Sequence, residues 1–327
     1  MRILITDTMY CTDAGKKAAT QISEKLGDVI VNPIGRKLTS LEILGLWNGI
    51  DVIIAGTEEY DSELLSQAPK SLKLISRNGV SYENIDLQLA AQKEIAVTTV
   101  RGANATTVAD STMALLLSVA RRLPSTDKAV RAGCWNAYVS DDINHKTLGI
   151  LGFGAIGKEV AKRALGFDMT VLAHSPPCDF DYEFAIKYSI KEASVEEILR
   201  QSDFVTLHMP VLPETREIIN YQTLTMMKPS AYLINTSRGA LINENDLYVA
   251  LKNGMIRGAA LDVFKTEPVS DSPLFELENT VLSPHCAGLS VNTITEMGRI
   301  NIDNILAISQ GKSCDDIILG PFPNRWK

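Results

Sequence analysis

The stretch Thr147-Leu-Gly-Ile-Leu-Gly152-Phe-Gly154-Ala-Ile-Gly157-Lys158-Glu159 decides how this sequence folds. Its first five residues form a short, largely apolar run that reads as a buried strand, and residues 156–165 are good helix formers. Between them stands GxGxxG, and a strand before it with a helix after it is the setting a dinucleotide-binding turn demands. In that setting Gly152 makes the tight turn, Gly154 lets a pyrophosphate approach a backbone without a Cβ, and Gly157 lets helix and strand pack closely. The amides exposed at the helix start then bind the phosphates. Gly152 to Lys158 also fits the opening of a P-loop. The next residue is Glu159, however, where that loop needs a Ser or Thr hydroxyl for magnesium, and a carboxylate there repels phosphate.

Outward from this turn the βα pattern recurs. Strands are expected at 170–173, 204–207, 232–235, 258–261 and 281–283, which with 147–151 make the six of a full dinucleotide-binding fold. The first third carries a second series, with strands at 3–6, 29–32, 52–55, 74–76 and 95–98 and helices at 14–26, 40–47, 62–66 and 84–92. Short apolar strands alternating with helices imply an α/β protein with parallel sheets covered on both faces. A long helix at 104–122, a shorter one at 125–131 and a last one near 292–310 complete the pattern. Two series in one chain suggest two related lobes.

The length of 327 residues suits two domains. A chain of this size buries enough apolar surface to need neither disulfide nor metal. A net charge of −7 argues against a nucleic-acid partner, which wants a basic face. No run approaches the roughly 18 apolar residues of a membrane span, and the opening Met1-Arg-Ile-Leu-Ile-Thr-Asp7 reads as a first strand rather than a targeting segment. Five cysteines without CxxC spacing suit reduced thiols in a cytoplasm. With four histidines and no cysteine cluster, no metal site is expected.

The residue about 20 positions beyond the glycine turn sets the cofactor's flavour. Here the strand ends in His174-Ser175-Pro176-Pro177. Neutral Ser175 does not repel the extra phosphate of NADP. No Arg or Lys follows within ten residues, and Asp179, Asp181 and Glu183 lie nearby. NAD is favoured and NADP stays open. Three further segments carry polar residues just past apolar strands, where ligands sit in open α/β sheets. They are Asn235-Thr236-Ser237-Arg238-Gly239, Asp262-Val-Phe-Lys-Thr-Glu267-Pro268 and Ser283-Pro-His285-Cys286-Ala287-Gly288.

Taken in order, these segments resemble the D-isomer-specific 2-hydroxyacid dehydrogenases, particularly the phosphoglycerate-dehydrogenase-like branch. The likeness extends over nearly the whole chain, through Ser76-Arg-Asn78-Gly79-Val80-Ser-Tyr-Glu-Asn-Ile-Asp86, Gly102-Ala-Asn104-Ala-Thr-Thr-Val-Ala-Asp110 and Leu207-His208-Met209-Pro210. It implies two Rossmann-like doubly wound lobes with an active-site cleft between them. The substrate lobe would be 1–99 plus 290–327 and the dinucleotide lobe 100–289. It implies hydride transfer between NAD(P) and a small 2-oxo or 2-hydroxy acid, with Arg238, Glu267 and His285 as the catalytic set. The chemistry accounts for these types. Hydride addition leaves negative charge on the carbonyl oxygen, and a histidine can protonate it. A carboxylate orients that imidazole and favours its charged form. An arginine fork grips the substrate carboxylate. The resemblance also implies cofactor contacts at Ala155, Ile156, Met209, Thr236 and Asp262, the last near the nicotinamide amide. Pro210, Ser237, His285, Ala287 and Gly288 stand beside these, and His208 is a candidate to line the same pocket. Asn78, Gly79 and Val80 would hold the substrate carboxylate with Arg238. A homodimer through the dinucleotide lobe is implied, with Trp135 and Tyr138 available for the contact.

Departures from the family narrow the substrate. Ser175 stands where NAD-using members usually carry Asp. True phosphoglycerate dehydrogenases have an arginine for the phosphate after the strand at 52–55, whereas this chain has Ala55-Gly-Thr-Glu58-Glu59, whose two acids oppose a phosphorylated substrate. An unphosphorylated acid such as glyoxylate or hydroxypyruvate is expected. The alternatives are 3-phosphoglycerate oxidation and, further off, a dinucleotide-dependent corepressor that keeps the fold without turnover.

Overall fold

The computed structural model describes residues 1–176 and 178–326. From the amino terminus, β1 (Arg2–Ile5), β2 (Asp28–Val31), β3 (Val52–Ala55), β4 (Leu74–Arg77) and β5 (Ala96–Thr98) alternate with α1 (Asp13–Leu26), α2 (Ser40–Leu46), α3 (Ser62–Ser66) and α4 (Leu87–Gln92). Helices α5 (Ala105–Ala120) and α6 (Leu123–Arg131) follow. The second series runs β6 (Thr147–Leu151), α7 (Ala155–Leu165), β7 (Thr170–His174), α8 (Tyr182–Lys187), β8 (Lys191–Glu192), α9 (Val195–Gln201) and β9 (Phe204–Leu207). It continues through α10 (Tyr221–Met226), β10 (Tyr232–Asn235), α11 (Glu244–Lys252), β11 (Gly258–Leu261) and β12 (Thr280–Leu282). Helix α12 (Val291–Ser309) and β13 (Ile317–Leu319) come last. The chain forms two compact units: residues 1–104 together with those from Leu289 onward, and Ala105–Gly288.

In the first unit the strand order is β13-β5-β4-β3-β1-β2. Strands β1 to β5 are parallel, as their apolar runs suggest. The sheet is not parallel throughout, because β13 lies antiparallel on β5, with Ile317 opposite Thr98. This short strand covers an edge that would otherwise present unpaired backbone groups. Alternate residues feed the two faces. Leu4, Ile53, Ile75 and Val97 join one apolar cluster, and Ile3, Ile5, Val52, Ile54 and Leu74 the other. Burying each such side chain contributes about 2 kcal/mol. Helix α12 packs its Ile294, Ile302, Ile305 and Ile308 into the second cluster beside α1. Helix α4 begins at Leu87, later than the expected 84, because the Asp86 carboxylate accepts the Gln88 and Leu89 amides and caps it there.

The second unit is wholly parallel, in the order β12-β11-β10-β9-β6-β7-β8. It has seven strands, one more than the sequence suggests. The extra one, β8, is two charged residues paired with Leu172 and Ala173 of β7. One face carries α5, with Ala109, Met113 and Leu116 clustered against Leu148, Ile150 and Ile234. The other face packs Leu151, Val205 and Leu233 under α9 to α11. Strand β6 has β9 on one side and β7 on the other, so connections diverge from it and leave a crevice at the carboxyl edge.

Candidate active site

The glycine turn lies at that edge. Gly152 has φ +103°, a conformation that L side chains avoid, and a Cβ there would stand 2.5 Å from the backbone of His208. Gly157 sits so close to the turn that a Cβ would be 2.2 Å from the Gly152 carbonyl oxygen. Gly154 is different, since nothing lies within 4 Å of where its Cβ would be. Gly154 is also the N-cap of α7 and supplies no side-chain acceptor to the first-turn amides. An open space in front of uncapped amides at a helix start fits a pyrophosphate, so the residues present fit a dinucleotide. The first turn of α7 comprises Ala155, Ile156 and Gly157. Lys158, the lysine of the discarded P-loop reading, turns instead to Asp181 at 2.7 Å.

Ser175 is 8% exposed, and its Oγ accepts the Phe153 amide at 2.7 Å. The side chain at the cofactor-discriminating position is therefore also a tie for the glycine loop. His208 sits across the turn. Its Nε2 is 2.9 Å from Thr206 Oγ1, while Nδ1 is buried with no partner among the described residues. Burial pushes this histidine down to about 3, so it stays neutral. Met209 is nearly buried, and its carbonyl accepts Ser237 Oγ at 2.7 Å. Pro210 is exposed.

The second cluster gathers on the ends of β10, β11 and β12. His285 Nδ1 and Glu267 Oε2 are 2.6 Å apart. Glu267 Oε1 accepts the Phe264 amide at 2.9 Å. Burial alone would raise the Glu267 carboxyl. The hydrogen bonds from His285 and Phe264, and the nearby charges of His285 and Arg238, carry it below the ordinary carboxylate range. An ionised Glu267 accepts a hydrogen bond from Nδ1–H and leaves Nε2 as the ring's other working atom. His285 has φ +52°, a strained value for a non-glycine residue that persists only where the surroundings impose it. They do so through Asp262. Its carbonyl accepts the His285 amide at 2.8 Å, and its carboxylate accepts Ser283 Oγ, the Cys286 amide and the Ala287 amide at 2.6, 3.0 and 2.8 Å. With 1% of its surface exposed, Asp262 organises the histidine loop from within.

Arg238 extends from the end of β10, where Asn235 Nδ2 holds its carbonyl and its own Nη1 donates to the Ser237 carbonyl at 2.7 Å. Two residues the sequence reading passed over secure this region from α5. Thr112 Oγ1 bonds Thr236 Oγ1 at 2.9 Å, and Ser111 Oγ donates to the Ala287 carbonyl at 2.9 Å. Their signal was a Ser-Thr pair directly before the apolar run Met113–Leu117 of the helix. Gly288 follows as the last residue of the unit.

In the first unit, the Asn78 side chain is committed internally. Its Nδ2 donates to Asp7 Oδ2 and its Oδ1 accepts from Asn301 Nδ2, both at 2.8 Å. Gly79 folds against the Arg77 guanidinium, 2.5 Å from where its Cβ would stand, and Val80 is exposed. Of the two acids after β3, both expected to oppose a phosphate, one is buried. Glu58 is 2% exposed and accepts Thr6 Oγ1 at 2.9 Å, so only Glu59 of the pair faces solvent. Sequence spacing gives no sign that Thr6, just past β1, offers Glu58 a buried donor.

A dinucleotide cradle on one stretch of this edge, with a histidine–carboxylate pair and an arginine at the strand ends of the same unit, defines a nicotinamide-dependent oxidoreductase. The chain belongs to the D-isomer specific 2-hydroxyacid dehydrogenase family, whose NAD binding domain it matches over residues 113–287. It is 40% identical over 265 residues to a glyoxylate reductase of Korarchaeum cryptofilum, covering 78% of each chain. It is 32% identical to a D-3-phosphoglycerate dehydrogenase of Methanocaldococcus jannaschii, over 98% of this chain and 60% of that longer one. Among solved structures, an acyclic imino acid reductase in complex with NADPH and D-arginine superposes with a TM-score of 0.84 at 29% identity, over 98% of this chain and all of that one. The protein is an NAD(P)-dependent oxidoreductase of 2-hydroxy and 2-oxo acids.

Proposed function

We propose that this enzyme reduces a small, unphosphorylated 2-oxo acid, with His285, Glu267 and Arg238 as its catalytic residues. The observation that carries the reading is the 2.6 Å pairing of His285 with Glu267 on a loop held in a strained conformation. NAD(P)H, when bound, supplies the hydride that adds to C2. Protonated His285 gives its Nε2 proton to the developing alkoxide, Glu267 keeps the ring oriented, and Arg238 holds the substrate carboxylate. In the oxidative direction His285 is the base. Gly152, Gly154, Ala155, Ile156 and Gly157 hold the pyrophosphate. Ser175, His208, Met209, Pro210, Thr236, Ser237, Asp262, Ala287 and Gly288 line the remainder. The backbone at Asn78, Gly79 and Val80 binds the acid from the discontinuous substrate domain, 1–99 plus 290–327, and 100–289 is the dinucleotide domain.

NAD is the preferred cofactor. The Lys158 ammonium is already paired with Asp181, and Asp179 stands close in sequence. The resemblance to glyoxylate reductases supports an unphosphorylated substrate, and exposed Glu59 is unfavourable to a phosphate. Initial rates with NADH and NADPH over a panel of 2-oxo acids test this. A clear preference for phosphohydroxypyruvate would favour the phosphoglycerate alternative, and no turnover with dinucleotide binding intact would favour a corepressor.

The enzyme acts as a homodimer in the cytoplasm. No helix among the described residues is long and apolar enough to cross a membrane, and all five cysteines are free. Helix α6 buries none of its residues. Leu123, Val130, Trp135, Tyr138 and Val139 are exposed in one stretch, a surface that suits a second copy. Trp135→Glu should give a monomer in sedimentation if this stretch makes the contact.

A further inference from the structure

The first unit contains a pocket lined by none of the catalytic, cofactor-binding or carboxylate-binding residues. It has a volume of about 420 Å³ and lies where the turn after β1 meets the starts of α1 and α12. Met9, Ala14, Leu289, Val291 and Ile294 give it apolar walls, and the rest of its lining bears hydroxyls. Among the described residues, no charged side chain borders it. Leu289 and Val291 are 47% and 67% exposed, so large apolar side chains stand in water on one wall.

Two connections tie the pocket to substrate rather than to the general surface. Met9 Sδ is 4.0 Å from Nδ2 of Asn78, the residue that leads into Gly79 and Val80. Strands β1 and β4 are parallel members of one sheet, so the Met9 turn and the Asn78 turn leave it by the same edge. In the other direction, Leu289 and Val291 follow His285 by four and six residues. The pocket thus adjoins the turn assigned to the substrate's acid group and is walled by the chain that leaves the catalytic histidine.

We propose that this pocket receives the 2-substituent of the substrate, so that the enzyme prefers 2-oxo acids bearing an uncharged aliphatic group of a few carbons. This rests on the dehydrogenase reading and adds a substrate class to it. Each methylene transferred from water to these walls raises kcat/KM, by roughly 10-fold where the fit is close. A second carboxylate or a phosphate there would lose its hydration with no counter-charge to meet it. Glyoxylate, having no substituent, leaves the pocket to water.

The test uses the full chain with NADH and NADPH and compares glyoxylate, pyruvate, 2-oxopentanoate, 4-methyl-2-oxopentanoate and 2-oxoglutarate. The expected result is a rise in kcat/KM of about 10-fold or more from glyoxylate to 4-methyl-2-oxopentanoate, with 2-oxoglutarate below 2-oxopentanoate. Val291→Asp should lower kcat/KM for 4-methyl-2-oxopentanoate about 10-fold more than for glyoxylate, and the milder Leu289→Gln should act in the same sense. Rates that are flat or fall with chain length overturn the proposal. So does an equal loss for every acid in both variants, which would mean that the apolar walls serve another contact. Absence of turnover with every acid overturns the dehydrogenase reading and the pocket's role with it.

Discussion

After β6 the chain reads Gly152-Phe-Gly154, and after β1, the first strand of the other sheet, it reads Thr6-Asp7-Thr8. The space in front of Gly154 is open. Just past β1, Thr6 and Asp7 of the first unit instead join a hydrogen-bonded network of its own side chains. Asp7 accepts the Met9 amide and Asn78, Thr6 bonds Glu58 and Tyr60, and Asn301 links Asn78 to Ser76. Burial raises the Asp7 carboxyl despite these hydrogen bonds and the Arg77 charge. One plan of strands and helices therefore leaves open space in front of a helix start where the loop after the strand is bare, and a hydrogen-bonded polar network where that loop carries Thr6 and Asp7. The architecture is shared, and the difference in function lies in the residues just past the strands.

Experiments can sharpen or break that contrast. The largest effect is expected at the strand ends of the second unit. His285→Gln should cut kcat by about 10²- to 10⁴-fold, the usual worth of general acid–base catalysis, with dinucleotide affinity retained in a fluorescence titration. A variant with near-normal turnover would remove His285 from the chemistry. The glycine turn offers a paired test. Gly154→Ala fills only the open cradle and should raise the dinucleotide Kd about 10-fold while leaving the melting temperature nearly unchanged. Gly157→Ala pushes a methyl onto the Gly152 carbonyl and should cost about 1–3 kcal/mol in urea unfolding. Equal behaviour of the two variants would mean that the open space is no ligand site.

In the first unit, Asn78→Ala leaves Asp7 and Asn301 short of partners and should destabilise the fold by about 1–3 kcal/mol without altering dinucleotide affinity. The smallest effect is a pH dependence. An unfolded histidine protonates near 6.5, whereas His208 in the fold resists protonation down to about 3. Between those values the unfolded chain binds the extra proton, so stability falls as pH falls through that window, by at most about 1.4 kcal/mol per unit. Removing the imidazole with His208→Asn should shrink the stability difference between pH 6.5 and pH 5 by roughly 1–2 kcal/mol in denaturant titrations. An unchanged slope would mean that water reaches His208 in the fold.

The strands Val52–Ala55, Thr147–Leu151, Phe204–Leu207, Tyr232–Asn235 and Gly258–Leu261 could be read to the residue, because strands buried on both faces are continuous apolar runs closed by polar or glycine residues. Strands β8 and β13 could not. Two or three residues at a sheet edge carry no periodicity, and Lys191–Glu192 has the composition of a loop. The candidate site divides in the same way. The glycine spacing and the segments around Arg238, Glu267 and His285 were legible because each follows a recognisable strand.

What the sequence alone determined was therefore local: which residues form strands, where the glycine turn sits, and which polar residues follow the strand ends. Those properties depend on neighbours a few positions apart. Only the tertiary structure decided that Glu58 is buried under Thr6, that Asp262 holds the histidine loop, that His208 is kept neutral and that Ser175 ties down Phe153. Each of these outcomes depends on a partner or an enclosure supplied by another strand, and hydrogen bonding and desolvation are set by distance in space, which the order of residues does not record.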